Sequence, residues 1–263
     1  MPALASILAE TRTRVAHLEG KGAELAQRAR QAPAAKAFPG ALGATIGVIA
    51  EVKRRSPSQG PIRPDLDAVR FARSYERGGA AAISVLTEER HFGGSLEDLQ
   101  RVAAAVSVPV LRKDFIIHEA QIHEARIAGA SAVLLIARIL EPAQLRELAA
   151  AVREWQMTPL IEVHDVSELD AALAARPDVL GVNARDLDTL VMTPERAEAI
   201  MRQIPAGVTL VAESGVQTRA DVERLAACGA DVVLVGTSVA RQDDPEQAVR
   251  DLTGVKRQVG VRR

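Results

Sequence analysis

The sequence predicts an α/β protein built as a single (β/α)8 TIM barrel with an N-terminal helical extension. Eight short apolar runs recur along the chain, and Ala-rich stretches with helical spacing separate them. The length of 263 residues suits one such barrel, which typically takes about 250 residues. The runs are GVIAEVK (47–53), AAISVLTE (81–88), VPVLRKD (108–114), SAVLLIA (131–137), TPLIEVH (158–164), VLGVNA (179–184), TLVAESG (209–215) and DVVLVGT (231–237).

We expect the chain to divide into an N-terminal extension, residues 1–45, and a barrel, residues 46–263, which would be the catalytic domain if the protein is an enzyme. Apolar residues recur with helical spacing between Leu4 and Leu18, and a second helical stretch covers 22–31. Since the extension is too short for a core of its own, we expect it to pack on the barrel. Helices are predicted after the strands at 65–78, 95–106, 118–128, 142–155, 166–175, 194–203, 217–228 and 245–257.

Composition limits the classes of protein. The net charge of −1 argues against general nucleic-acid binding, and no run reaches the roughly 18 apolar residues of a membrane span. The lone Cys228 excludes an internal disulfide framework, and the N-terminus lacks the pattern of a signal peptide. We therefore expect a cytoplasmic monomer that binds neither nucleic acid nor membrane, with the basic end KRQVGVRR as a solvated helix end.

Charged or amide residues stand near the ends of five predicted strands. Alternate residues of a strand share a face, so each of these side chains points the same way as the residue two positions before it. Charges inside a barrel are costly unless they are paired or functional. A ring of ion pairs at the barrel mouth, or side chains that point outward, would be the structural alternative, but repetition on five strands favours a functional site. The residues are Glu51, Lys53, Lys113, Glu162, Asn183 and Glu213.

Lysine is scarce in this chain, with five copies against 28 arginines. Two of the five, Lys53 and Lys113, fall at predicted strand ends. Unlike arginine, a lysine can act as an acid or form a Schiff base. The two lysines are therefore candidates for catalysis.

Glycines after the last two strands predict a phosphate site. Ser214-Gly215 closes the seventh run, and Gly236-Thr237-Ser238 closes the eighth and leads towards a helix. Loops at these positions form the recurrent phosphate site of this fold. The segment RRSPSQG (54–60) after the first strand adds the hydroxyl of Ser56 and positive charge nearby.

Other signals are weaker. Phe92 and Phe115 follow predicted strand ends and fit either core packing or the wall of an aromatic ligand site. His118 and His123 are five residues apart, so they do not share a helix face as a metal pair would. His91 and His164 could reach the barrel mouth, but no ligand spacing supports a metal, and we expect none.

These strings together resemble indole-3-glycerol phosphate synthase, the enzyme that closes the indole ring in tryptophan biosynthesis. The resemblance spans about residues 46 to 245, in the family's order and at its spacing, and EVKRxSPS together with LRKDF is a specific pair. The strings that carry it are IAEVKRRSPSQG (49–60), ISVLTEERHFGGS (83–95), VPVLRKDFIIHEAQIHEARIAGASAVLLIARIL (108–140), LIEVHD (160–165), GVNARDL (181–187), VAESGV (211–216) and VLVGTSV (233–239).

The resemblance implies a set of site residues. It places catalytic and substrate-binding roles on Glu51, Lys53, Ser56, Lys113, Glu162, Asn183, Arg185, Glu213 and Ser214, with phosphate at Gly215 and Gly236 and Thr237 beside it. Three positions depart from the family pattern, Ala184, His118 and Thr237, and none removes one of these functional groups.

The resemblance also implies a reaction. The substrate would be 1-(2-carboxyphenylamino)-1-deoxyribulose 5-phosphate, with Lys113 or Lys53 as acid, Glu162 as base, and no cofactor because the reaction's own imine accepts the electrons when CO2 leaves. Two other classes stay open from the residues alone. One is a Schiff-base aldolase that uses a barrel lysine, and the other is a non-catalytic phosphate-binding barrel.

Overall fold

The parallel barrel predicted from the sequence is confirmed. The computed structural model describes residues 3–40, 42–258 and 260–262. Strands β2 and β3 form a short antiparallel ribbon, and the other eight close a parallel barrel in the order β1-β4-β5-β6-β7-β8-β9-β10. The strands are β1 (Gly47–Val52), β2 (Arg55–Ser56), β3 (Gly60–Pro61), β4 (Ala82–Leu86), β5 (Val110–Lys113), β6 (Ala132–Ile136), β7 (Thr158–Val163), β8 (Val179–Asn183), β9 (Thr209–Glu213) and β10 (Val232–Val235).

Helices precede the barrel and cover its outer surface. They are α1 (Ala3–Glu19), α2 (Gly22–Arg30), α3 (Ala68–Arg77), α4 (Leu96–Ala105), α5 (Glu119–Ile127), α6 (Pro142–Glu154), α7 (Leu169–Ala174), α8 (Pro194–Met201), α9 (Arg219–Ala227), α10 (Thr237–Ala240) and α11 (Pro245–Arg250), with 3-10 turns at Ala137–Ile139 and Val166–Glu168. Side chains at helix starts explain several boundaries, since Ser95 accepts a bond from Asp98 N and Thr218 forms a capping box with Asp221. Over the described ranges, no helix combines the length and the apolarity needed to cross a membrane.

The alternation of side chains along the strands produces two apolar cores. One lies between the strands and the outer helices, and the other fills the barrel interior. The interior core includes Ile49, Leu111, Leu160 and Val211, each fully buried. Because side chains alternate with period two, the residues two positions further along these strands continue the interior face toward the carboxyl ends of the strands.

The N-terminal helices pack on the barrel through α5, which both of them contact. Leu4 and Ile7 of α1 join the interior core. Arg14 of the same helix places Nη2 3.1 and 3.0 Å from the two carboxylate oxygens of Asp114. Asp114 is buried, and although burial opposes its ionisation, Arg112 and Arg14 hold its pKa below the usual range. The extension is thus tied to the residue that follows β5.

Two predictions about the C-terminal segment were wrong. Helix α11 ends at Arg250 rather than 257, and the basic end is not a solvated helix end. Arg257 and Arg262 both bind the carboxylate of Asp231, just before β10, and Arg262 Nη1 donates to the carbonyl of Val208 at 2.9 Å. The segment therefore closes the face of the barrel where the strands begin, because these contacts lie at the start of β9 and β10.

We expect Arg14→Ala to destabilise the fold by about 1.5–3 kcal/mol, the range for hydrogen bonds to a charged group. The substitution removes two bonds to a buried carboxylate while Arg112 still pairs with it. Urea denaturation would measure the free energy of unfolding. Arg12→Ala, on the exposed side of the same helix, is the matched control and should change it by less than about 0.5 kcal/mol. Equal losses in the two variants would contradict this account of how α1 is anchored.

Candidate active site

Charged side chains gather where the barrel strands end. Glu51, Lys113, Glu162 and Glu213 follow the interior core residues of β1, β5, β7 and β9 by two positions and point into one cavity of about 730 Å³. All the residues predicted for the site line this cavity. They are Glu51, Lys53, Ser56, Phe92, Lys113, Phe115, Glu162, Asn183, Arg185, Glu213, Ser214, Gly215, Gly236 and Thr237.

Lys113 lies at the centre of the site between two carboxylates. Its Nζ donates to Glu162 Oε2 at 2.8 Å and also to Glu213 Oε2. The side chain of the lysine is 13% exposed, and those of the two glutamates are 2% and 1% exposed. Three ionisable groups are therefore held together out of water, where each strongly affects the protonation of the others.

The pKa values of Glu162 and Glu213 are shifted in opposite directions. Burial raises the pKa of both, but Lys113 and then His164 bring the pKa of Glu162 well below its usual range. Burial and the neighbouring Glu162 raise the pKa of Glu213 to about 8. Burial lowers the pKa of Lys113, and the glutamates outweigh it, so the pKa of the lysine is raised. Near neutral pH the site thus contains an ammonium, an ionised Glu162 and a protonated Glu213.

Two glycines make room for these side chains. A Cβ on Gly181 of β8 would lie 2.2 Å from Glu213 Oε1. A Cβ on Gly236 would lie 2.6 Å from Glu51 Oε1 and 3.1 Å from Lys53 Nζ, and those two atoms themselves form an ion pair of 2.5 Å. Such contacts are shorter than atoms tolerate, so a side chain at either position would displace the ends of these buried, paired side chains.

One end of the cavity offers backbone N–H groups and hydroxyls. Ser214 and Gly215 have positive φ values of 68° and 82°, which turn the chain sharply after β9. Gly236 and Thr237 begin α10, whose first N–H groups have no partner inside the helix. Ser56 reaches the same cavity from the ribbon. This end has the donors that an anionic group needs.

The opposite wall is apolar and aromatic. Phe92 and Phe115 have ring centroids 6.3 Å apart and planes inclined by 40°. Leu4 and Ile7 of α1 line the cavity beside them, so the extension contributes to the site. The sequence indicated that these two residues lie on a buried helix face, but no local signal indicated what that face covers.

Asn183 is the last residue of β8, and Arg185 stands on the loop that follows. Asn183 Oδ1 accepts the backbone N–H of Arg185 at 3.0 Å, and Arg185 Nη1 donates to the carbonyl of Leu190 at 2.9 Å. In the part of the chain that the structure describes, no carboxylate lies within ion-pair distance of the Arg185 guanidinium. Burial alone lowers the pKa of Arg185. This cation is available to a negatively charged ligand.

The positive charge near the phosphate end comes from another residue than predicted. Arg54 turns away and binds Asp98 with contacts of 2.5 and 3.1 Å, and Arg55 does not line the cavity. Arg241, just after α10, lines it instead. Sequence reasoning missed Arg241 because it stands in a short helical turn that the prediction did not include.

One group of side chains could in principle hold a metal. Donor atoms of Glu10, Glu88 and His91 all lie within 4.8 Å of one another. The carboxylate of Glu88 already accepts the backbone N–H groups of three residues, and Glu10 pairs with Arg90 and His91. Hydrogen bonding between α1 and the loop after β4 accounts for the cluster.

Two solved structures have the same fold. Thiamine phosphate pyrophosphorylase from Pyrococcus furiosus aligns with a TM-score of 0.59 over 79% of this chain and 93% of its own. 3-hexulose-6-phosphate synthase from Salmonella typhimurium aligns with a TM-score of 0.64 over 79% and 96%. Both are 16% identical to this chain, so they establish the fold alone. Fold and site define a (β/α)8-barrel enzyme with a buried lysine–carboxylate centre.

Sequence comparison identifies the family. A profile of indole-3-glycerol phosphate synthase matches residues 4–252, and the chain belongs to this family. The indole-3-glycerol phosphate synthase of Mycolicibacterium vanbaalenii is 50% identical over 230 residues, which cover 87% of this chain and 85% of the relative. That of Micrococcus luteus is 47% identical over 234 residues, covering 87% of each. Family members are decarboxylating lyases of tryptophan biosynthesis.

We expect Glu213→Gln to gain stability relative to the wild type as pH rises. Folding raises the pKa of Glu213 from 4.5 to about 8, so between these values the folded state keeps a proton that the unfolded state releases. The wild type therefore loses stability through this window as pH increases, and the variant lacks that loss. Urea denaturation at about pH 5 and pH 8.5 would measure the difference.

Glu147→Gln, at an exposed position on α6, serves as the control and should show the same difference from the wild type at both pH values. A Glu213→Gln difference that does not change with pH would contradict the raised pKa.

Proposed function

We propose that the cavity catalyses the ring closure of 1-(2-carboxyphenylamino)-1-deoxyribulose 5-phosphate to indole-3-glycerol phosphate, CO2 and water. The proposal depends chiefly on the 2.8 Å contact between Lys113 Nζ and Glu162 Oε2, which places an acid and a base together in a buried site. The anion-binding end and the aromatic wall belong to the same cavity as this pair.

The substrate has three features that match the lining. Its phosphate fits the end formed by Gly215, Gly236 and Thr237, with Ser56, Ser214 and Arg241 nearby. Its aromatic ring can pack against the wall formed by Phe92 and Phe115, and Asn183 and Arg185 line the same cavity and can orient its carboxylate. Binding both ends folds the chain of the substrate so that its ring approaches its ketone, which removes an entropic barrier of several kcal/mol.

Carbon–carbon bond formation comes first. The ring carbon that bears the carboxylate attacks the C2′ ketone, and negative charge develops on the ketone oxygen. Lys113 donates its proton to this oxygen. The raised pKa of Lys113 keeps it an ammonium in the resting enzyme, and an alkoxide is basic enough to accept the proton. The buried cation also stabilises the charge as it develops.

Loss of CO2 and water follows. Attack leaves an iminium conjugated with the ring, and this group accepts the electron pair of the breaking bond to CO2. Dehydration then needs a base to remove a proton and an acid to protonate the departing hydroxyl. Glu162 is ionised and serves as the base, and Lys53, or Lys113 after it has taken up a new proton from solvent, serves as the acid. Glu51 pairs with Lys53 and Glu213 with Lys113, which orients both lysines.

A Schiff-base aldolase fits the site less well. Its lysine must be a neutral amine in order to attack a carbonyl, which requires a lowered pKa. The glutamates around Lys113 instead raise its pKa. We therefore assign the lysine to proton transfer.

We further propose that the chain acts as a cytoplasmic monomer on a small phosphorylated molecule. Large apolar side chains with substantial exposure are few among the described residues, namely Val166, Val191 and Val261. Isolated residues of this kind do not form the apolar patch that a stable interface uses. The lone cysteine, Cys228, is a buried free thiol, which agrees with a reducing compartment.

Lys113→Ala should lower kcat by at least about 1000-fold, within the range for loss of a general acid, and change substrate affinity by less than about threefold. The purified chain would be mixed with the anthranilate-derived ribulose phosphate, and indole fluorescence would report turnover. Calorimetric titration would measure binding. Lys21→Ala, at an exposed position before α2, is the control. Absence of indole fluorescence with the wild type would reject the proposed reaction, and near-normal kcat in Lys113→Ala would remove this lysine from it.

Gly236→Ala should lower kcat/KM by about tenfold or more, because the added Cβ would press on Glu51 and Lys53 at the phosphate end. The same fluorescence assay would measure it. Gly207→Ala is a matched control, since a Cβ there would meet no atom within 4 Å. Equal activity of the two glycine variants would contradict the close packing at Gly236.

A further inference from the structure

His164 lies buried beside the proposed base and has no part in the mechanism described so far. It directly follows β7, two residues after Glu162. Its side chain is 0% exposed, and Nε2 lies 3.2 Å from Glu162 Oε1. On the other side of the ring, Nδ1 lies 3.7 Å from Glu168 Oε2. The imidazole is therefore enclosed between two carboxylates.

The contact with Glu168 begins a row of charges that runs toward the rim of the barrel. Glu168 Oε2 accepts the backbone N–H of His164 at 2.7 Å, and Oε1 accepts Arg138 Nε at 2.7 Å. Arg138 in turn donates to Asp186 at 3.0 Å, and Arg196 lies 3.5 Å from Asp186. Exposure of Glu168, Arg138 and Asp186 is between 12% and 19%. The outer partners hold Glu168 in place against the ring.

The two carboxylates favour the charged form of the ring. Neither ring nitrogen forms a hydrogen bond among the described residues, but each faces a carboxylate oxygen at ion-pair distance, 3.2 Å to Glu162 and 3.7 Å to Glu168. A neutral imidazole has one N–H group and one nitrogen lone pair, so one ring nitrogen would direct its lone pair toward a carboxylate, which the imidazolium avoids. Burial lowers the pKa of His164, but the two glutamates outweigh it and raise the pKa to about 9.

A second buried histidine shows that burial alone does not produce this arrangement. His123 of α5 packs edge-on against Trp155, with centroids 4.8 Å apart. Its one acidic neighbour within 4 Å, among the described residues, is the exposed Glu119 at 3.4 Å. Burial dominates there and lowers the pKa of His123. The two residues differ in the carboxylates around them.

We propose that His164 is a positioning residue for Glu162, a buried imidazolium that keeps this carboxylate ionised and directed at Lys113, with Glu168 and Arg138 holding the ring from outside. The inference rests on the proposed function, in which Glu162 is the base. A base must be deprotonated at the working pH, and an adjacent cation favours that form. Glu162 thereby has a cation on each of its two oxygens.

His164→Gln should lower kcat by about tenfold or more, leave KM within about twofold, and move the acidic limb of the kcat–pH profile upward by roughly one pH unit. Lys113 and Glu213 also face Glu162, from β5 and β9, and both remain in the variant. The shift of the acidic limb therefore measures the effect of losing the imidazole of His164. His123→Gln removes another buried histidine, outside the cavity, and should leave the limb in place. A uniform loss of kcat at every pH, with the limb unmoved, would overturn the proposal.

A measurement on the unmodified protein tests the same point without activity. NMR titration of carbon-13-labelled histidine would follow the five imidazole rings of the chain, and His164→Gln or stepwise replacement of the other four would assign the signals. The ring of His164 should stay protonated through about pH 8. Deprotonation of the His164 ring below pH 7 would overturn the proposal even if the proposed reaction stands. Full activity of Glu162→Gln would instead reject the role of Glu162 as the base, and it would leave the result of the titration unaffected.

Discussion

The burial of one ammonium between carboxylates is the constraint on which the rest of the structure depends. Removing Lys113, Glu162 and Glu213 from water carries a large desolvation cost, which only close pairing offsets. The pairing requires strands β5, β7 and β9 to end at the same level around one axis. A closed parallel barrel meets this requirement, because the hydrogen-bonded register fixes where each strand ends. Gly181 contributes by leaving space for the carboxyl group of Glu213.

Support for the centre extends beyond the barrel. The residue after Lys113 is Asp114, whose carboxylate binds Arg112 behind the strand and Arg14 of the N-terminal helix. The same helix supplies Leu4 and Ile7 to the cavity wall. The extension is therefore attached at the point where its displacement would disturb both the lysine and the apolar wall. This connects a segment with no chemically reactive role to the geometry of the reacting groups.

The barrel and the charged residues that point into its mouth can be predicted well from the sequence, because both follow from a local pattern along each strand. Period-two alternation fixes which strand residues face the interior, so the placement of Glu51, Lys113, Glu162 and Glu213 follows once the strands are recognised. Arg241 escaped prediction because it follows a short helical turn that was not predicted. His164 was expected only to be able to reach the barrel mouth, because its role depends on neighbours from other elements. The same holds for the C-terminal arginines, since nothing in KRQVGVRR indicates that two of them bind Asp231. The prediction that Arg54 supplies positive charge to the site was wrong, because its side chain binds Asp98 of α4, 44 residues further along the chain.

The opposite pKa shifts of Glu162 and Glu213 arise from the unequal surroundings of two identical side chains. Glu162 has a cation at each oxygen, Lys113 and His164. Glu213 shares Lys113, but its Oε1 has no hydrogen-bond partner among the described residues. The cations around Glu162 favour its loss of a proton, whereas burial and the charge of Glu162 favour retention of the proton by Glu213. The site therefore holds Glu162 as a vacant base 2.8 Å from the ammonium of Lys113, and proton transfer in both directions needs an acid and a base with such different proton affinities.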